Sequence, residues 1–542
     1  MFAGHMMDFP LVLPVILRRA ETFFASKAVV TRRPDRSVHR TNYGAIVARA
    51  RKLAGGLRAL GLGDGDRVAT LAWNGAEHLE AYYGVSAGGM VLHTLNLRLH
   101  PDDLAYIASH AGDRVCIVDE SLLPLLDKFR ERTPIEHVIV IRSTGAALPP
   151  GARDYEDVLA LADAAYDFPE IDERQAAGMC YTSGTTGKPK GVVYSHRSLC
   201  LHAMAAAMGA VHLDEPDTVL AIVPMFHANA WGLPFTCAMM GAQQVFPGQY
   251  MDPASLLDLL AAERVTVCGG VPTVLMGILK TMDGAPGAYD LSSLRTVLCG
   301  GAAVPMSVLR GFQERHGLRV LHAWGMTETS PIGTLAALPS WLRDADTETQ
   351  YKYRVRQGMP APFVELRARA EDGTLIPWDG VAMGELEVRG PWIAKSYYDS
   401  PESADRFTAD GWFRTGDVVS IDAEGCMEIR DRSKDVVKSG GEWISSVALE
   451  NALMGHPEVA EATVIGVPHP TWTERPLAVV VRIAGSSVTH ETLMESLAPH
   501  FAAWWLPDAT EFVEVIPKTS VGKFAKNVIR DQFRDRLGGL PD

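Results

Sequence analysis

Absences narrow this chain of 542 residues first. No run approaches the roughly 18 apolar residues that a membrane-spanning helix needs. The apolar stretch Phe9 to Leu17 is interrupted by Pro10 and Pro14, and its charges, Arg18 and Arg19, follow it, which makes a poor signal peptide. A basic surplus is missing too. Against 65 aspartates and glutamates stand 51 lysines and arginines, and the net charge of −14 argues against a nucleic-acid partner. The seven cysteines show no Cys-x-x-Cys or Cys/His spacing, so neither a disulfide framework nor a zinc site is supported, and a reducing cytoplasm fits best. No internal repeat and no low-complexity tract stands out.

What is present is an ordinary globular composition in a chain long enough for two to four domains. Thr41 or Asn42 caps an expected helix carrying Ile46, Leu53, Leu57 and Leu60, with Gly61 as its stop. Strand-like runs follow at Arg67–Trp73, Val115–Val118, His137–Ile141, Val219–Val223, Gln244–Phe246, Val265–Cys268, Thr296–Leu298 and Val320–His322. Helical stretches such as Pro253–Glu263 and Ser307–Arg315 lie between several of them, and this alternation predicts a layered α/β body with largely parallel sheets. From about residue 360 the texture turns β-rich, and beyond Arg432 it becomes compact α+β, with helices expected near Ser446–Met454 and His490–Phe501. The division predicted is a large domain, 1–432, and a small one, 433–542.

The organising stretch is Tyr181-Thr182-Ser183-Gly184-Thr185-Thr186-Gly187-Lys188-Pro189-Lys190-Gly191. Glycines expose bare N–H groups, hydroxyls add donors and lysines add charge, a combination suited to a polyphosphate. It is not the P-loop, because only Thr185 and Thr186 separate Gly184 from Gly187 and Pro189 follows Lys188. Other segments carry compatible chemistry. His227 and Trp231 lie in Pro224–Gly232 after a strand, where a helical turn would put them on one face. Gly301, Ala302 and Ala303 permit close approach of a flat ring. In Trp324-Gly325-Met326-Thr327-Glu328 a stacking face precedes a hard oxygen ligand for magnesium. Asp417 ends a turn and can accept from two ribose hydroxyls, and Arg432 suits a phosphate or ribose contact. Each has an ordinary structural explanation when taken singly.

Taken together and in order, these segments resemble the adenylate-forming family of acyl-CoA synthetases, luciferases and peptide-synthetase adenylation domains. The fatty-acyl-CoA ligases are the nearer resemblance, through Pro224-Met225-Phe226-His227-Ala228-Asn229-Ala230-Trp231 and Lys438-Ser439-Gly440-Gly441-Glu442-Trp443-Ile444-Ser445. Within them the chain is similar to the 3-methylmercaptopropionate-CoA ligases of marine bacteria that degrade dimethylsulfoniopropionate. The resemblance implies ATP, magnesium and coenzyme A, and a carboxylic acid activated as an acyl-adenylate before transfer to the thiol. It implies that residues 182–187 and Lys190 hold phosphates, with Thr186 and Glu328 at the metal. Ala302, Ala303, Trp324, Gly325, Met326 and Thr327 would receive the nucleotide base, and Asp417 and Arg432 the ribose. His227, Trp231, Gly301, Gly325 and Met326 would border the acyl group, with His227 counted as catalytic beside Lys523. Lys523 would be the adenylating lysine, Lys434 the hinge, and Gly440, Gly441 and Trp443 the coenzyme A contacts. Trp231, Trp324 and Met326 are bulky enough to favour a short- or medium-chain acid. A medium- or long-chain ligase and a stand-alone adenylation enzyme serving a carrier protein are the competing expectations. Homodimers are common in this subfamily, and no integral membrane association is expected.

Overall fold

The computed structural model describes residues 4–182, 188–439, 442–518, 524–534 and 536. Among them four sheets carry the molecule. The largest runs, in spatial order, Met359–Pro360, Thr334–Leu335, Val320–Trp324, Thr296–Gly300, Val267–Gly270, Thr218–Ala221, Gln243–Phe246, Ala28–Arg32 and Val38–Asn42. Its six central strands are parallel. The second sheet orders Ala152–Asp154, His137–Ile141, Asp113–Asp119, Arg67–Leu71, Val91–Thr94, Ala176–Tyr181 and Gly191–Ser195, parallel except for the last pair. The α/β expectation therefore holds, with helices covering near-continuous apolar strands. The first of these helices, Tyr43–Ala59, begins where the Asn42 side chain accepts from Ala45 N at 2.9 Å, and it buries Ile46, Ala50, Leu53 and Leu57.

The helix Ala76–Ala87 is buried along its whole length, as expected of one packed between two sheets. Its tyrosines spend their hydroxyls on the chain that later forms the site: Tyr82 donates to Met225 O, and Tyr83 to Pro234 O at 2.7 Å. Just upstream, the buried Asn74 amide donates to Ala221 O and Val223 O, both at 2.9 Å, and its carbonyl accepts Met225 N at 2.7 Å. Each such bond contributes only about 1 kcal/mol net, but leaving the buried groups unpaired would cost more. The fold thus fixes residues 221–234 from beneath.

The third sheet is antiparallel: Glu365–Arg369, Gly384–Arg389, Phe413–Ile421 and Met427–Arg432. It ends at Arg432, and Val437 already belongs to the fourth sheet. That sheet joins Glu442–Ile444, Val437–Ser439, Thr473–Arg482 and Val459–His469, with Ala509–Phe512 alongside Thr473–Arg482. It has its own apolar core, including Ile444, Leu449, Leu453, Val464 and Val480. Two helices differ from expectation. His490–Leu497 stops short of Phe501, because Pro499 cannot continue it. Ser307–Arg315 divides into an α-helix, Met306–Arg310, and a wider π turn, Gly311–Arg315.

Candidate active site

Four adjacent parallel strands, Val320–Trp324, Thr296–Gly300, Val267–Gly270 and Thr218–Ala221, release their chains at one edge of the large sheet. In open α/β folds ligands collect at that edge. Here it opens into a cleft of about 910 Å³ shared by the large body and the C-terminal segment. Thr182, Lys190, His227, Trp231, Gly301, Ala302 and Ala303 line this cleft, followed by Trp324 through Glu328, Asp417, Arg432 and Lys434. Every described residue expected at the nucleotide, acyl, metal and hinge positions borders it. Ser183, Gly184, Thr185, Thr186, Gly187, Gly440, Gly441 and Lys523 lie outside the described residues. Trp443 is not among the lining residues; it sits across a hairpin from Lys438, whose ammonium lies 5.6 Å from its ring centre.

The organising loop is the connection of a β-hairpin, with Tyr181 paired to Gly191. Its neck is closed twice, by Thr182 N to Lys190 O at 2.9 Å and Lys190 N to Thr182 Oγ1 at 3.1 Å. The lysines beyond the neck are held by aromatic faces: Lys188 Nζ is 5.0 Å from the Tyr106 ring centre, and Lys190 Nζ is 5.1 Å from that of Tyr397. Two positive charges thereby face the cleft on semi-rigid mounts.

At the end of the cleft where ribose contacts were expected, Arg432 Nε meets Asp417 Oδ1 at 2.7 Å, and Trp324 Nε1 donates to Asp417 Oδ2 at 3.0 Å. Asp417 is buried, and its backbone N–H is satisfied by Thr415 Oγ1 at 3.0 Å. Trp324, expected to offer a stacking face, lines the cleft. Its ring packs over Gly333, where any Cβ would come within 2.3 Å of it, and its N–H is engaged with the acid. Gly325 next to it is compulsory for a similar reason: a Cβ there would lie 1.3 Å from Pro331 O. Glu328, also buried, accepts the Tyr397 hydroxyl on Oε1 at 2.5 Å.

The acyl end holds the largest departure. The turn carrying Trp231 is left-handed, with positive φ at Ala228 (42°), Asn229 (53°), Ala230 (48°), Trp231 (58°) and Gly232 (73°). A right-handed turn sharing one face between His227 and Trp231 is therefore not what forms. Left-handed backbone costs roughly 1–2 kcal/mol per non-glycine residue, so this run stores several kcal/mol that its surroundings must offset. The Asn74, Tyr82 and Tyr83 bonds beneath it do so, as does Thr236 Oγ1 to Gly232 O at 2.9 Å. The turn throws the Trp231 ring across the strand ends, where Gly269 and Gly300 face it without side chains of their own.

Three residues that sequence reasoning did not single out also face the cleft: Tyr397, Asp431 and Lys526. Asp431 accepts Ser446 N at 2.6 Å, and burial pushes its carboxyl up to about 6. Lys526 Nζ is paired with Glu450 Oε1 at 2.7 Å and donates to Ser446 Oγ at 2.5 Å; despite burial, that pairing keeps its ammonium above the usual lysine range. The ammonium of Lys434, the expected hinge, is lowered by partial burial. No local pattern announces Tyr397 or Lys526, because their partners lie 69 or more residues away.

A family model described as AMP-binding enzyme matches residues 17–398. The chain belongs to the AMP-binding enzyme family. The model of this enzyme's C-terminal domain matches residues 448–523, a span that ends at Lys523. Among relatives, this AMP-binding enzyme is 48% identical to a long-chain-fatty-acid–CoA ligase of Thermus thermophilus over 99% of its own length and 98% of the relative's. It is 43% identical to the 3-methylmercaptopropionyl-CoA ligase of Ruegeria lacuscaerulensis over 99% of its own length and all of the relative's. A solved anthranilate CoA ligase in complex with anthranoyl-AMP superposes with a TM-score of 0.86 at 26% identity, covering 98% and 99% of the two chains. This AMP-binding enzyme is thus an acyl-CoA ligase, AMP-forming and dependent on ATP and coenzyme A. Among its described residues no helix is long and apolar enough to cross a membrane.

Proposed function

We propose that this acyl-CoA synthetase activates a short- to medium-chain carboxylic acid, with 3-methylmercaptopropionate as its first candidate, and delivers the acyl group to coenzyme A. The observation that carries this reading is the single cleft with the Asp417–Arg432 pair at one end and Trp231 lying across the strand ends at the other. In the first half-reaction the carboxylate attacks the α-phosphorus of ATP and pyrophosphate leaves. In the second the thiol attacks the acyl-adenylate and AMP leaves. An anion attacking a polyanion needs charge neutralisation and positioning above all. Lys188, Lys190 and residues 182–187 serve the β and γ phosphates, Asp417 and Arg432 the ribose, and Ala302 and Ala303 the adenine.

The donor set suits magnesium. Among the described residues no group of three or more His, Cys, Asp or Glu side chains forms a metal cage, and the cleft instead presents separate buried carboxylates, Asp417, Asp431 and Glu328 among them, of which Glu328 is the one expected at the metal. That suits an ion held by one protein carboxylate together with substrate phosphates and water. Magnesium would supply charge neutralisation at the phosphates.

Lys523 is the adenylating residue in this reading, carried by a mobile lobe, 433–542, that pivots at Lys434. Its support is that Lys518 and Phe524, which flank 519–523, bridge each other and border the cleft. Trp443 and the adjoining glycines would reach coenzyme A only after the pivot. Lys523→Ala should abolish adenylation yet spare thioester formation from a supplied acyl-adenylate; equal loss in both steps, with folding intact, would defeat this assignment. The seven cysteines, all buried and unbridged, support a reducing cytoplasm.

A second reading, a medium- or long-chain acid, is favoured by one observation. The cleft lining continues past Trp231 to Ala206, Val211, Leu233 and Leu298. A panel of straight-chain acids set against 3-methylmercaptopropionate, compared by kcat/KM from pyrophosphate release, separates the two. Rising kcat/KM beyond about ten carbons, as each buried methylene contributes about 0.8 kcal/mol, would replace the short-chain reading with the long-chain one.

A further inference from the structure

The phosphate hairpin and the acidic turn after Val320–Trp324 arise from different sheets, yet one short segment of a third subdomain fastens both. Ala394 N donates to Glu328 O at 2.8 Å, and Tyr398 N donates to Gly191 O at 2.8 Å in an isolated antiparallel bridge. Between these two anchors stands Tyr397. Its hydroxyl donates to Glu328 Oε1 at 2.5 Å, while the Lys190 ammonium rests 5.1 Å from its ring centre. The ring is itself seated edge-on against Phe407 and Phe413, at centroid distances of 5.6 and 6.4 Å. Among the described residues no side chain bonds Glu328 Oε2. The arrangement therefore spends one carboxylate oxygen on holding the group still, on a residue that lines the cleft.

We propose that Tyr397 is a positioning residue, which aims Glu328 at the magnesium-bound phosphates of ATP and keeps Lys190 beside them. The proposal rests on the nucleotide reading given above and adds to it a residue with a separable signature. A tyrosine that merely fills space would be replaced by phenylalanine without consequence for metal dependence. A tyrosine that orients a carboxylate would not, because a buried hydrogen bond to a charged group is among the stronger ones.

The test is calorimetric titration of ATP into the full-length protein, with and without magnesium, alongside steady-state kinetics. Tyr397→Phe is expected to raise the magnesium concentration for half-maximal ATP affinity about tenfold. It should raise KM for MgATP by a similar factor while affinity for metal-free ATP and KM for the acid stay put. Glu328→Ala should remove the magnesium-dependent gain, and Tyr397→Phe added to it should change nothing further. Phe407→Leu, which loosens the ring's seat and spares the hydroxyl, should give the same shift at smaller size and serves if Tyr397→Phe does not fold. A wild-type magnesium response in the folded variants overturns the proposal, as does a Tyr397→Phe effect that persists undiminished in the Glu328→Ala background. If the wild-type protein itself shows no magnesium-dependent ATP binding, it is the nucleotide reading that falls.

Discussion

At the ribose end of the cleft both oxygens of Asp417 are already bonded, one to Arg432 and one to the Trp324 indole. At the acyl end Trp231 hangs from a left-handed run and leans toward glycines, its position set by backbone strain and missing side chains. The first end is organised by charge and hydrogen bonding, so its tolerance should depend on chemistry and little on volume. The second is organised by shape, so methyl-sized changes should retune it while chemistry at the phosphates proceeds. One cleft can in this way hold a constant nucleotide firmly and let acid preference vary.

The largest effect should come from Asp417→Asn. Removing its charge leaves Arg432 without its partner, but the Arg432 side chain is 40% exposed, so water screens part of the loss and the penalty falls below the about 3–5 kcal/mol of a fully buried pair. kcat/KM for ATP should fall by roughly 10–10²-fold, with the order of preference among acids unchanged. A reordered acid panel in that variant would dissolve the division between the two ends.

Next comes Gly300→Ala. Its Cβ would stand 2.8 Å from Ala323 O on the neighbouring strand and 3.5 Å from the Trp231 ring, so the strand end must move. About a tenfold loss in kcat/KM for every acid is expected, with ATP binding measured by calorimetry altered far less. Trp231→Ala should act in the opposite sense, opening the path to Ala206 and Val211. Medium-chain acids should gain on short ones by up to about fourfold per added methylene. An unchanged chain-length profile would mean that Trp231 is packing only.

Much of the nucleotide end was legible in the sequence because its residues are chemically conspicuous. A glycine–threonine–lysine loop, an acid after a glycine and an arginine at the end of a strand suggest phosphate and ribose when they occur together and in order, and the described ones, Thr182, Lys190, Asp417 and Arg432, border one cleft. The alternation of strands and helices was legible for the same local reason, and His137–Ile141 matches residue for residue. The acyl end was not. Asn229, Ala230 and Trp231 carry no mark of positive φ, since that conformation is imposed by Asn74, Tyr82 and Tyr83 from the helix side. Around Trp324, too, the sequence does not reveal Gly333 against its ring or Asp417 at its N–H. Tyr397 went unread for a related reason: its meaning lies in a contact with Glu328, 69 residues earlier, in the turn that follows the strand Val320–Trp324.

The smallest and most discriminating change is Gly269→Ala. At this position the added Cβ would sit 3.3 Å from Leu298 Cβ and 3.4 Å from the Trp231 ring, with no backbone atom among its nearest neighbours. The clash is thus with side chains that can yield by a few tenths of an ångström, unlike the carbonyl met at Gly300. Because Trp231 is carried on a turn fixed from below, the ring must tilt, and the acyl space narrows by about one methyl group. We expect KM for the preferred acid to rise two- to fivefold, an energy of roughly 0.4–1 kcal/mol. KM for ATP and the magnesium requirement should remain those of the wild type. If ATP and acid weaken together, the two ends communicate through the sheet, and the separation between a bonded end and a shaped end is lost.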